Sequence, residues 1–156
     1  MNTALVFLSL GLAAAAPAIA AGGPLEVTSK VLVETKQRAP DGTTRLALVP
    51  AKRTVPGDRV TFVLSYRNTG GQALDNIVFN NPVPKGIAYR APANGSAAPE
   101  VSVDGANFGA LGALRVKTAS GSRAAGPDDV THVRWRLARP LTAGAQGQFA
   151  YQAVLK

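Results

Sequence analysis

An alternation of apolar and polar positions between residues 59 and 68 is the clearest structural signal in the chain. One face of this segment carries Val60, Phe62, Leu64 and Tyr66, and the residues between them form the opposite face. A period of two, carried by β-branched and aromatic residues, predicts a half-buried β-strand. The rest of the predicted architecture is arranged around this strand.

Short segments of strand-like composition recur along the rest of the chain, separated by turn residues. Further strands are predicted at 25–37, 45–49, 77–79, 87–89, 101–103, 114–118, 130–137 and 148–155. The chain is expected to leave the sheet over 80–86, which contains two prolines and a glycine, and 120–129 is expected to be a loop. The spacing predicts an all-β fold, an antiparallel β-sandwich of about seven to nine strands.

The inward register of the predicted strands defines an expected core. Its members are Phe62, Leu64, Tyr66, Ile77, Phe79, Val133, Trp135, Leu137, Phe149 and Tyr151.

Turn motifs surround the central strand: Pro56-Gly57-Asp58 before it, Asn68-Thr69-Gly70 after it, and the run NPVPKGI over 81–87. Together with the Trp135 strand and the LTAGA run that follows it, they resemble a bacterial and archaeal surface-protein repeat, the family called domain of unknown function eleven. The resemblance covers about residues 45–156. It implies an immunoglobulin-like sandwich in a secreted or envelope protein, with no common enzymatic activity. Asn81 stands where that family usually has Asp, which weakens a cation-binding role for the loop.

The first 20 residues have the pattern of a secretory signal peptide. An apolar run, Leu5 to Ala16, precedes Pro17 and the small-residue cleavage pattern that ends at Ala20. The run is too short for a stable membrane span, which needs about 20 apolar residues. We therefore expect cleavage after Ala20 and export to the periplasm or the cell surface. The organisation expected for the remainder is a leader and strand arm over 21–44 and a sandwich domain over 45–156.

Composition narrows the possible chemistry. The chain has no cysteine, which excludes disulfides, thiolate metal sites, a catalytic cysteine and a lipidated cysteine anchor. It has 17 Lys and Arg against 9 Asp and Glu, a net charge of +8. Such a balance favours anionic partners such as envelope polysaccharide or lipopolysaccharide, and it is equally typical of a basic protein without such a ligand.

A basic stripe is the sharpest candidate site. His132, Arg134 and Arg136 share one face of a predicted strand, and Arg115 and Lys117 share a face of another. If the two strands are neighbours, the side chains form one cationic patch able to bind carboxylate or phosphate groups. The alternative is a solvated sheet face or a set of charges that protects an edge. The aromatic residues lie on the inward register, so we expect no nucleic-acid partner.

Two other clusters offer weaker chemistry. Asp128 and Asp129 stand near His132, but their spacing is not diagnostic of a metal or acid–base site, and adjacent aspartates beside a proline are typical of a turn. The run from Asp104 to Asn107 faintly resembles a calcium loop and lacks the further carboxylates that calcium requires. We therefore expect no enzyme, no cofactor and no metal site.

The functional expectation is a non-enzymatic structural or interaction module of the cell envelope, which contacts another envelope protein or a second copy of itself. Two alternatives remain open. The basic stripe is either a solvated face without a ligand or a binding surface for an anionic glycan such as polysaccharide or lipopolysaccharide. The arm over 25–37 either pairs within its own sandwich or adds a strand to a neighbour's sheet, as in a surface filament.

Overall fold

The computed structural model describes residues 23–50 and 54–156, and the predicted signal peptide with its cleavage residue Ala20 lies outside these ranges. The prediction of an all-β antiparallel fold is confirmed. The strands are β1 (Leu25–Arg38), β2 (Thr44–Pro50), β3 (Arg59–Asn68), β4 (Val78–Pro82), β5 (Ile87–Pro92), β6 (Glu100–Ser102), β7 (Arg115–Thr118), β8 (Gly121–Ala124), β9 (His132–Arg136) and β10 (Gln146–Leu155). Short 3-10 helices occupy Leu111–Ala113 and Pro127–Asp129. No helix in the described ranges is long and apolar enough to cross a membrane.

The strands form two main sheets and a hairpin. The larger sheet has the order β2-β1-β3-β10-β5, and the smaller has the order β4-β9-β6. The segments β7 and β8 pair only with each other within the described chain. The central strand β3 lies between β1 and β10 and is antiparallel to both, so its two edges are paired with strands from opposite ends of the described chain.

The two main sheets pack face to face through aromatic side chains. The ring of Trp135 from β9 stacks on Phe149 from β10, with the ring centroids 5.1 Å apart. The ring of Tyr66 from β3 lies 4.7 Å from that of Phe79 in β4. All ten residues of the expected core lie in the buried cluster or pack against it. The inward register read from the sequence is therefore confirmed.

The sequence prediction was wrong about two segments. The chain does not leave the sheet at residue 80, because β4 continues through Asn81 to Pro82, paired with β9. A proline is tolerated there because β4 is an edge strand, where a missing N–H costs no ladder hydrogen bond. The predicted loop over 120–129 contains β8, whose residues are all exposed. A strand without a buried face shows no hydrophobic alternation, so the sequence pattern does not indicate β8. With β8 included, the described chain has ten strands and not the seven to nine predicted.

The first two strands form a hairpin that extends past the rest of the sheet. β1 pairs with β3 from Leu25 to Val33, so this part of the arm pairs within its own sheet. It pairs with β2 from Leu32 to Arg38. The paired residues 34–38 and 44–48 lie beyond the last position of β1 that pairs with β3. We call this two-stranded extension the ribbon.

Valine-to-alanine substitutions at buried and exposed positions should differ sharply in cost. Val133 in β9 is fully buried, whereas Val78 in β4 is 43% exposed. Val133→Ala should lower the free energy of unfolding by about 2 kcal/mol through lost burial and a residual cavity. Val78→Ala should change it by less than about 0.5 kcal/mol. Urea unfolding followed by the fluorescence of Trp135, the only tryptophan, measures both. Equal effects would contradict the assigned core.

Candidate functional site

The basic residues of β9 lie on the face opposite to the core. Val133 and Trp135 are buried, and His132, Arg134 and Arg136 alternate with them as predicted. This alternation follows from the pleat, which points successive side chains to opposite faces of a sheet. The outward face of the smaller sheet thus carries the sharpest feature of the sequence analysis.

Glu100 on the neighbouring strand β6 binds both arginines of this face. Its Oε2 accepts from Arg134 at 2.9 Å and from Arg136 at 3.4 Å. These hydrogen bonds, that from Arg134 first, lower the pKa of the Glu100 carboxyl. The guanidinium of Arg134 also lies over the ring of Phe108, 3.9 Å from its centroid. The two guanidinium groups are therefore engaged by protein groups and partly neutralised.

The structure does not join the two halves of the predicted basic stripe into one sheet face. Arg115 and Lys117 lie in β7, which pairs with β8, while β9 lies between β4 and β6. Arg115 donates to the hydroxyl of Ser122 within that hairpin. The condition for a single patch, neighbouring strands, is not met. Sequence analysis could place residues on a face but could not pair the strands.

Asp128 and Asp129 each bind an arginine rather than His132. Asp128 accepts from Arg90 at 2.8 Å, which fixes the 3-10 helix against β5. Asp129 accepts from both terminal nitrogens of Arg123, at 2.6 and 2.7 Å, and from the N–H of Gly126. These contacts hold the pKa of the Asp129 carboxyl well below its usual range. The two aspartates connect the segment before β9 to β5 and β8.

His132 packs against the loop that the sequence singled out as a faint calcium motif. A Cβ at Gly105 would lie 2.9 Å from Cε1 of the His132 ring, and Gly105 has φ +77°, so this position requires glycine. The carboxylate of Asp104 accepts from the main chain of Ala106 and Asn107. These bonds, those from Asn107 first, hold the pKa of Asp104 well below its usual range. Among the described residues no three His, Cys, Asp or Glu side chains are placed to hold a metal ion.

Asn68 has a role that sequence analysis missed. The sequence predicts the start of a turn at this position, yet the side chain of Asn68 is fully buried. Its amide nitrogen donates to the carbonyls of Gln72 and Leu141, at 2.7 and 2.9 Å, and its Oδ1 accepts from the N–H of Gly70. One side chain thus closes its own turn and joins it to the chain before β10. The polar residue at the end of an inward-facing strand register was the signal that could have shown this.

The Pro56-Gly57-Asp58 turn is a second clamp. The Asp58 carboxylate accepts from the N–H of Val55 at 2.8 Å, and Gly57 has φ +96°. The N–H of Gly57 donates to the carbonyl of Leu155, and the N–H of Leu155 donates to the main-chain carbonyl of Asp58. This turn therefore fixes the C-terminal end of β10.

A shallow region of about 470 Å³ lies on the outer face of the larger sheet. Its polar lining consists of Glu26, Thr28, Ser65, Arg67, Gln146 and Gln148. The pairing register makes cross-strand neighbours of Glu26, Arg67 and Gln146. Sequence analysis missed this polar row because its members come from three strands that are distant in the chain.

Two of the three most exposed large apolar side chains of the described chain lie on the ribbon, and the third is Val55 in the turn before β3. The side chain of Leu46 is 69% exposed, and that of Leu48, at the base of the ribbon, is 49% exposed. The register places Leu46 opposite Lys36 and Leu48 opposite Glu34, all on one face. Sequence analysis predicted the strand but not that its leucines would lack a covering layer.

Comparison of the chain with family models, curated proteins and solved structures gave no match. The resemblance to domain of unknown function eleven therefore stays a prediction.

Replacing Asn68 should destabilise the fold far more than its size suggests. Asn68→Ala removes three hydrogen bonds and leaves buried main-chain groups unpaired, so we expect a loss of about 2 to 3 kcal/mol in the free energy of unfolding. Asn94→Ala, at an exposed asparagine, is the matched control and should be close to neutral. Urea unfolding measures the free energy of unfolding of both variants. An unchanged value for Asn68→Ala would show that this side chain does not hold the two segments together.

Proposed function

We propose that this protein is an exported, non-enzymatic structural or interaction module of the cell envelope. The ribbon is the observation that carries this proposal. It carries Leu46, the most exposed large apolar side chain of the described chain, and on the same face Leu48, which is about half exposed. Exposed apolar surface at the edge of a sheet is typical of sites that contact another protein.

The distribution of charged groups supports the same proposal. Two carboxylates that sequence analysis considered as reactive groups are bound to arginines, Asp128 to Arg90 and Asp129 to Arg123. Glu100, which first emerges from the structure, is bound to Arg134. Lowered pKa values keep Glu100, Asp128 and Asp129 ionised, and a general acid needs the opposite shift. In the described chain the His132 ring has the hydroxyl of Thr131 as its hydrogen-bond partner, not a carboxylate. The hydrogen-bond partners of these three carboxylates and of His132 favour a structural role for them over a catalytic one.

Export and contact with envelope components can be tested in one experiment. The chain, produced with its own N-terminus, is cross-linked with formaldehyde in intact exporting cells and then recovered. We expect its N-terminus at Ala21, because cleavage follows the small-residue pattern ending at Ala20. We also expect cross-linked adducts in the envelope fraction. A chain found only as free single copies, or retained in the cytoplasm, would overturn the proposal.

Binding of an anionic glycan through the basic face of β9 is the alternative. The net charge of +8 favours retention on any anionic matrix. Because Glu100 engages Arg134 and Arg136, we expect that face to contribute no more than other charges do. The double variant Arg134→Glu, Arg136→Glu should therefore be retained less by an anionic polysaccharide column. The decrease should be no larger than for a double variant that makes the same change in net charge elsewhere on the surface.

The matched control is Arg38→Glu with Arg139→Glu, which makes the same charge change at two exposed arginines away from β9. Equal elution salt concentrations for the two double variants are the expected result. A selectively larger loss in the Arg134 and Arg136 variant would establish the basic face as a ligand site. Trp135 fluorescence checks that both variants remain folded.

A further inference from the structure

Among the edge strands of the described chain, β2 carries the most exposed large apolar side chain, Leu46. Exposed edges are normally protected by charge or proline against pairing with another chain. Within the described chain, other exposed edges carry unpaired charge, as Lys117 does in β7, or paired charge, as Arg123 does in β8, and β4 ends in Pro82. What distinguishes β2 is that it carries two exposed leucines, Leu46 and Leu48, which are 69% and 49% exposed. In β2 the single charge, Arg45, is bound by Asp41 at 3.1 Å. Its proline, Pro50, is the last residue of the strand.

The direction of the free hydrogen-bonding groups on β2 follows from the turn that precedes it. The N–H of Ala39 donates to the carbonyl of Thr43 at 2.8 Å. Hydrogen-bonded and non-bonded pairs alternate along an antiparallel ladder. The main-chain groups of Arg45, Ala47 and Val49 therefore face β1, and those of Leu46 and Leu48 point to the outer edge. No strand of the described chain pairs with that edge.

We propose that the outer edge of β2 pairs antiparallel with β2 of a second copy of this chain, about a twofold axis at Ala47. This inference rests on the proposed function and names the partner as the chain itself. In this register Leu46 of each copy lies opposite Leu48 of the other, and the two residues exchange main-chain hydrogen bonds. The leucines of both copies then form one continuous apolar cluster on one face of a four-stranded ribbon.

The register is self-complementary in two further respects. Pro50, which has no N–H, lies opposite Thr44, so the pair needs only the Thr44 N–H to donate to the Pro50 carbonyl. Arg45 lies opposite Val49 of the other copy, and its charge remains bound to Asp41 of its own copy. Among the described residues of β2, this register brings no like charges face to face, although each chain carries +8. A twofold junction of this kind closes as a dimer.

Cysteine cross-linking tests the register. The chain has no cysteine of its own, so any disulfide joins the introduced thiols. In Ala47→Cys the two thiols face each other across the twofold axis at a non-hydrogen-bonded pair, where Cα atoms are about 4.5 Å apart and within disulfide range. We expect a covalent dimer under mild oxidation. Thr44→Cys is the control on the same strand, because its two copies lie at opposite ends of the junction and should not cross-link.

Light scattering and sedimentation of the purified exported chain test the association itself. We expect a concentration-dependent dimer, and Leu46→Lys should weaken its association by about tenfold or more, because it restores a charged edge. Val78→Lys adds the same charge at an exposed position outside the ribbon and should leave the dimer intact. A monomer at all concentrations would overturn this inference, as would a dimer that Leu46→Lys does not weaken or a covalent dimer of Thr44→Cys alone.

The outcomes separate this inference from the proposed function. Envelope adducts in intact cells together with a monomeric purified chain would leave the proposed function standing with a different partner. A purified dimer without envelope adducts would support the β2 junction and overturn the envelope role.

Discussion

The face-to-face stacking of Trp135 on Phe149 is the contact on which the rest of the structure depends. It brings the smaller sheet onto the β3, β10 and β5 side of the larger one, and the buried cluster draws side chains from both. The smaller sheet covers the face of the larger sheet that carries Val60 and Phe62. Leu46 and Leu48 lie on the opposite face, because Pro50 shares their face and pairs with Leu32, which itself pairs with the outward-facing Thr61. Their exposure therefore follows from the face they occupy, which no other sheet of the described chain covers.

Two polar clamps explain why the turn motifs have the residues they have. Asn68 joins the turn after β3 to the segment before β10, and Asp58 with Gly57 fixes the far end of β10. Both clamps act on the strands that flank the core, and both need specific atoms: an amide that donates and accepts, and a residue that adopts positive φ. The motifs thus have a physical explanation in this chain that is independent of any family resemblance.

Several charged groups of the described chain form ion pairs. The arginines of β9 face Glu100, and the aspartates before β9 bind Arg90 and Arg123. Because most of these pairs are exposed, each adds little to stability, but together they orient loops relative to the sheets. The arginines of the basic face are therefore partly neutralised by Glu100, although the chain as a whole carries a net charge of +8.

The sequence by itself determined the fold class, the strand faces and the core. The alternation around Phe62 and around Trp135 could be read directly, because a buried face imposes a period of two on one strand. It did not reveal β8, which has no buried face, or the continuation of β4 to Pro82 on an edge. It also could not decide whether Arg115 and His132 share a surface, whether Asn68 reaches Leu141, or whether Leu46 is covered. Each of these depends on which strands become neighbours, and only the tertiary structure decides this because the pairing joins segments far apart in the chain.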